Sequence, residues 1–208
     1  MSHRPSMANV CFPDVLADGL DGNRPCVAQI ISWAATRTTT QVEDRAYSLM
    51  GLLDVNMPML YGEGKKAFHC LQLEIIRSSN DQSIFAWGQY RLARIGSVLA
   101  DDPSFFKGCS DVKLLSHDEF IEKFPELSST NADHFDDEFQ ITRRGIKIWM
   151  SLRRYRNSNS VFRAYLPCLG YGEVFIDLVL WKSNYYRYPS MPDDALGDSP
   201  TEFHQVYL

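Results

Sequence analysis

The sequence predicts an α+β fold: amino-terminal helices, then a mainly antiparallel β-sheet or sandwich domain. Two periodicities carry this. Before about residue 80, apolar residues recur at i, i+3, i+4 and i+7, the spacing of one buried helical face. Beyond Gln89 the period becomes two, as where Ile146, Ile148, Met150 and Leu152 alternate with Lys147, Trp149, Ser151 and Arg153, the mark of a half-buried strand. Composition agrees: 208 residues with 45% hydrophobic and 23% charged side chains match globular usage and exclude rods and wholesale disorder.

Residues 1–26 hold Pro5, Pro13, Pro25, Gly19 and Gly22 without periodicity and read as an irregular lead-in. Val27, Ile30, Ile31 and Ala34 then place a helix over about residues 26–35. Thr40-Gln41-Val42-Glu43 has the form of a capping box and predicts a second helix starting there, with Val42, Ala46, Leu49, Met50 and Leu53 inward. It breaks between Asp54 and Pro58. A third helix is predicted from about Gly62–Gly64 to Ser78, with Ala67, Phe68, Leu71, Ile75 and Ile76 inward and Lys65, Lys66, Gln72, Glu74 and Arg77 outward. Gln82 to Trp87, rich in β-branched and aromatic residues, reads as a strand or extended bridge.

A helical turn at Pro103–Lys107 and a short strand at Val112–Leu115 come next. Phe139–Thr142 and the strand from Ile146 flank Arg143-Arg144-Gly145, which predicts a hairpin with Gly145 at positive φ. Val161–Cys168 and Glu173–Trp181 are strands joined at Gly170-Tyr171-Gly172, and the proline-containing end from Pro189 reads as a loose tail. The expected organisation is a lead-in over 1–26, a helical unit over 27–90, a β-rich unit over 91–188 and a tail over 189–208.

No apolar run approaches the roughly 18 residues of a membrane span, and the amino terminus lacks a secretory apolar core, so a cytoplasmic location is expected, with no membrane partner. The five cysteines are odd in number and widely spaced, which points to free thiols rather than disulfides or a metal centre. The formal charge of −5 makes nucleic acid an unfavoured partner.

Three pieces stand in order between Ile31 and Phe68: Ser32-Trp33-Ala34, then Glu43-Asp44-Arg45-Ala46-Tyr47-Ser48-Leu49-Met50-Gly51, then Pro58-Met59-Leu60-Tyr61-Gly62-Glu63-Gly64. This run, continued by Leu73–Trp87, resembles the carboxy-terminal segment of the fungal heterokaryon-incompatibility (HET) domain. Ser97–Phe106 and Phe139–Ile148 are similar to the β-rich domain that often follows it. HET domains usually open with Ser-His-x-Trp-Gly and Arg-x-Trp-Thr-x-Gln-Glu types of motif, in a fold distantly similar to the Toll/interleukin-receptor domain, and residues 1–30 contain neither. The resemblance therefore implies a truncated HET domain, acting in non-self recognition and programmed cell death through a protein partner. It implies no cofactor, and the nucleotide hydrolysis associated with Toll-like relatives is not carried onto this chain. Trp33, Glu43, Asp44, Arg45, Tyr47, Gly51, Pro58, Tyr61, Gly62, Glu63 and Gly64 are the family-motif residues, with a structural or interaction role.

The residues themselves leave several chemistries to weigh. Asp44 and Tyr47 can share a helical face, forming either a charged contact surface or a structural tie. Tyr61–Gly64 is either an anion-binding loop at a helix start or a tight turn. His69 and Cys70 are adjacent on a helix, so their side chains diverge and no catalytic dyad is expected. Residues 118–138 hold eight acids against Lys123, whereas residues 139–172 hold seven bases and no acid. Arg143, Arg144, Lys147, Arg153, Arg154, Arg156 and Arg163 thus form either a basic surface for RNA or an acidic partner, or an internally paired set. A non-enzymatic interaction or regulatory module, or a remnant of one, is the leading expectation. An enzyme completed by an upstream segment or partner, and an RNA-binding β-module, are the rivals.

Overall fold

A computed structural model describes residues 25–88, 96–125 and 138–208. The lead-in up to residue 24, the predicted boundary at Tyr90 and most of the acidic stretch lie outside the described residues.

Helix α1 spans Val27–Ser32 and buries the predicted Val27, Ile30 and Ile31 together with Ala28, while Ala34 is buried just beyond its end. Its first amides are satisfied from a distant segment: Val27 N donates to Asp81 Oδ2 at 2.7 Å and Ala28 N to Ser83 Oγ at 3.0 Å. Helix α2 spans Asp44–Leu53 and so begins later than the capping box predicted, which leaves Val42, expected inward, ahead of the helix and exposed. The Glu43 side chain does not return to Thr40, because tertiary donors take it (below). The helix ends on Asp54 in the left-handed region, φ 52°.

Helix α3 spans Lys66–Ser78. Gln72, predicted outward, is fully buried: its amide donates to Ala100 O at 2.8 Å and its oxygen accepts from Ala100 N at 2.9 Å. The side chain thus satisfies a passing backbone that would otherwise be buried unpaired. Gln82–Phe85 is a 3₁₀ turn, not the expected strand. Asp81 caps it by accepting from Ser83 N at 2.8 Å, and a local carboxylate cap outweighs β-propensity in so short a piece.

The turn predicted at Pro103–Lys107 is a 3₁₀ turn over Pro103–Phe106, capped by Asp102. Strand β1 is Lys113–Leu114, and α4, His117–Lys123, was not expected. Its capping box is nevertheless legible in the sequence: Ser116 N donates to Glu119 Oε2 at 2.8 Å and Glu119 N to Ser116 Oγ at 3.3 Å.

A seven-stranded antiparallel sheet follows, with β2 Gln140–Thr142, β3 Gly145–Arg154, β4 Val161–Leu169, β5 Glu173–Trp181, β6 Asn184–Tyr188 and β7 Glu202–Tyr207. The order is β2-β3-β4-β5-β6, with β1 beside β4 and β7 beside β3. Gly145 has φ 141°, in the predicted hairpin, and a Cβ there would lie 2.3 Å from the Leu208 carbonyl oxygen. The tail expected to be loose is instead woven into the sheet, with Met150 opposite His204 and Ile148 opposite Val206. Its two buried apolar residues, Phe203 and Val206, are three apart and face opposite sides, so neither a period of two nor a helical stripe betrays the strand.

One core joins the three helices to the inner face of the sheet, including Ile146, Ile148, Met150 and Leu152 with Ile31, Leu71, Ile76 and Phe85. The opposite face carries a smaller cluster, Phe120, Phe124, Tyr165 and Phe203, beneath α4. The chain is therefore α+β, with a mainly antiparallel β-unit.

Candidate functional site

The motif residues converge where the start of α2 meets the loop before α3. Glu43 immediately precedes α2 and is buried, and one of its oxygens, Oε1, accepts both Gly62 N and Gly64 N at 2.8 Å. These glycines take φ 98° and 57°, the conformations that turn successive amides inward. The anion-binding loop considered from sequence is thus filled by the protein's own carboxylate. The Gly64 amide bond, first among its causes, holds the Glu43 carboxyl below the usual carboxylate range.

One residue on, Asp44 Oδ1 accepts the Tyr61 hydroxyl at 3.1 Å, and this bond pushes the Tyr61 phenol up. Tyr47 OH donates to Leu60 O at 2.7 Å, and the Tyr47 and Tyr61 rings meet edge to face with centroids 5.6 Å apart. Arg45 points away from this loop. It donates to Asp102 Oδ2 at 2.8 Å and to the carbonyls of Ala34 and Ala35 just beyond α1, so it joins α1, α2 and the Asp101-Asp102-Pro103 segment. The sequence reading missed Asp102 as a member of this group. Its signal was present, since Asp before Pro-Ser is a capping pattern at a helix start.

Glu43, Asp44, Arg45 and Tyr47 are therefore spent on backbone, on Tyr61 and on Asp102, while apolar neighbours face solvent. Met59 and Tyr61 are each 62% exposed, Leu60 53% and Val42 52%. Trp33, the residue ending α1, is partly exposed, as are Pro58 and Glu63 at the surface. Gly51 on α2 has no atom within 4 Å of where a Cβ would sit, and nothing in the structure explains its presence.

The predicted basic surface is dispersed. Arg163 is not on the surface at all: it is buried on β4, bonded to Asp177 at 3.1 Å, to Asp193 and to Met191 O, and it lies over the Phe175 ring at 3.7 Å. Strand alternation sends it inward, beneath the segment that follows β6. Burial would depress its pKa, but the bonds to Asp177 and Asp193 outweigh this and hold it charged. Arg144 joins two hairpins, donating to Asn184 Oδ1 at 3.1 Å and Ser183 O at 2.7 Å. Arg156 pairs with Asp198 at 2.6 Å, Arg153 donates to Gly197 O, and Lys147 reaches Gln140. Arg143 and Arg154 are exposed.

His69 meets Asp101 at 3.1 Å, and Cys70 lies on the exposed side of α3. Cys26, Cys109 and Cys168 are buried free thiols, and burial pushes Cys109 up to about 12, which disfavours the nucleophilic thiolate. Among the described residues no group of three or more His, Cys, Asp or Glu is arranged to hold a metal, and no helix is long and apolar enough to cross a membrane.

No family model and no solved structure matches the chain. One similarity is short and well above chance: over 36 residues the chain is 53% identical to vegetative incompatibility protein HET-E-1 of Podospora anserina. That match covers 17% of this chain and 3% of the relative, so it carries a partial relationship to a heterokaryon-incompatibility protein and nothing finer.

Proposed function

We propose that this chain is a non-catalytic interaction or regulatory module of the heterokaryon-incompatibility type, contributing to non-self recognition and programmed cell death in fungi. One observation carries the reading. Glu43, Asp44 and Tyr47 all bond the segment from Leu60 to Gly64, and the product of that effort is a loop presenting Met59, Leu60 and Tyr61 to solvent. Stability alone does not call for three adjacent large apolar groups facing water, whereas a contact surface does. The short likeness to a vegetative incompatibility protein supplies the biological setting.

The test is expression of the whole chain in Podospora anserina, scored for cell death or for altered death after cell fusion, beside the double variant Met59→Ser, Leu60→Ser. Both positions are exposed, so unfolding should change little. Loss of the phenotype in a folded double variant supports an apolar contact. An unchanged phenotype overturns it, and turnover of a nucleotide by the purified chain would establish the enzyme reading instead.

A further inference from the structure

A cleft of about 670 Å³ opens where the helices meet the sheet, away from the motif loop. Small-molecule sites typically run from roughly 300 to 1,000 Å³ and combine an apolar wall with a few polar groups. Here Val27, Ile30, Leu53, Ile75, Leu115 and Pro167 supply the wall.

The polar side has one sign. Asp54 and Asp81 both line the cleft, and Lys and Arg are absent from its lining among the described residues. Helices α2 and α3 both end there, at Leu53 and Ser78, so two sets of terminal carbonyls add the negative ends of helix dipoles. The amino end of α1 also reaches the cleft, but Asp81 takes its first amide. Asp81 accepts two backbone amides and still has its carboxyl pushed up by burial, the sign of a negative charge short of compensation. The imidazole of His117, at the rim, lies 3.5 Å from Asp118.

We propose that this cleft binds a small organic cation with an apolar body, an aryl- or alkylamine, its ammonium drawn to the carboxylate side and its hydrocarbon laid against Ile30, Ile75 and Leu115. An ammonium matches two carboxylates and two helix carboxy ends, while the wall excludes a purely polar polyamine from using the full volume. The inference does not depend on the interaction reading, because none of the motif residues borders the cleft.

The test uses three near-isosteres on the full chain: phenethylamine, phenethyl alcohol and phenylacetate, followed by calorimetry and by methyl NMR of the isoleucines and leucines. The expected order is amine, then alcohol, then carboxylate, with about tenfold between the first two and shifts at Ile30, Ile75 and Leu115. Asp54→Asn keeps the left-handed backbone that Asn tolerates. It should weaken the amine about fivefold and leave the alcohol unchanged. Equal binding of phenylacetate, an unchanged amine affinity in Asp54→Asn, or shifts confined to other methyl groups would each overturn the proposal.

Discussion

Glu43 and Gly64, 21 residues apart, are joined by a 2.8 Å hydrogen bond from the Gly64 amide to the Glu43 carboxylate, and the Gly62 amide shares the same oxygen. Two sequence motifs thereby become one structural unit. Because the Gly64 bond lowers the folded-state pKa beneath the ordinary 4.5, this contribution to stability is fully present above about pH 4.5 and fades as pH falls through the lower folded value. Glu43→Gln keeps an acceptor without the charge. Urea midpoints between about pH 3 and pH 6 should show a shallower acid limb for the variant, and parallel limbs would contradict the assignment.

Arg45 and Asp102 form a partly buried pair at 2.8 Å that fastens α2 to the Pro103 turn. A double-mutant cycle with Arg45→Met and Asp102→Asn should give a coupling of about 1 kcal/mol, since the pair is better shielded than a surface contact. Asn can still cap Ser104, which isolates the charge interaction from the turn. A coupling near zero would mean that the Ala34 and Ala35 carbonyls, not Asp102, fix Arg45.

Arg163 and Asp177 sit opposite each other on β4 and β5, and the Tyr155 hydroxyl donates to the same carboxylate at 2.8 Å. Removing one member strands a buried charge, so Asp177→Asn should cost about 3–5 kcal/mol in chemical denaturation. Joint replacement of Arg163 and Asp177 by apolar residues should cost markedly less than the sum of the two single changes.

Gly145→Ala would drive a methyl into the Leu208 carbonyl, which accepts the Ile146 amide at 3.1 Å while the Leu208 amide donates back to Ile146 O at 2.9 Å. The expected loss is about 2–3 kcal/mol, measured by thermal or urea unfolding. Ending the chain after Thr201 removes β7 from the centre of β3 and with it Phe203 and Val206 from two clusters. Circular dichroism should then report loss of cooperative unfolding. A truncated chain as stable as the whole would show β7 to be dispensable.

Much of the element pattern was legible. The helical faces of α1 and α3, the Arg143-Arg144-Gly145 hairpin and the strand Glu173–Trp181 appear where periodicity and turn residues place them. These are signals a segment carries within itself. Thr40 and Glu43 looked like a local capping box, but Glu43 found stronger donors 19 and 21 residues away. Gln72 looked like a surface residue and instead closes a gap against Ala100. Arg163 looked like part of a basic run, and alternation along β4 put it in the interior against the buried Asp177, with Asp193 reaching it from the surface.

Side-chain period and turn chemistry are properties of neighbours in the chain, so the division into helices followed by an antiparallel sheet is decided by the sequence before any long-range contact forms. Which polar groups are spent and which are presented is not a local property. The Tyr61–Gly64 amides could have received an outside anion, the Arg163 guanidinium could have faced solvent, and the residues after Pro189 could have stayed apart from the sheet. Only the tertiary structure decides these, because each depends on a donor, acceptor or strand edge that folding carries to it from a remote position: Glu43 to the glycines, Asp177 and Asp193 to Arg163, and β3 to Phe203 and Val206.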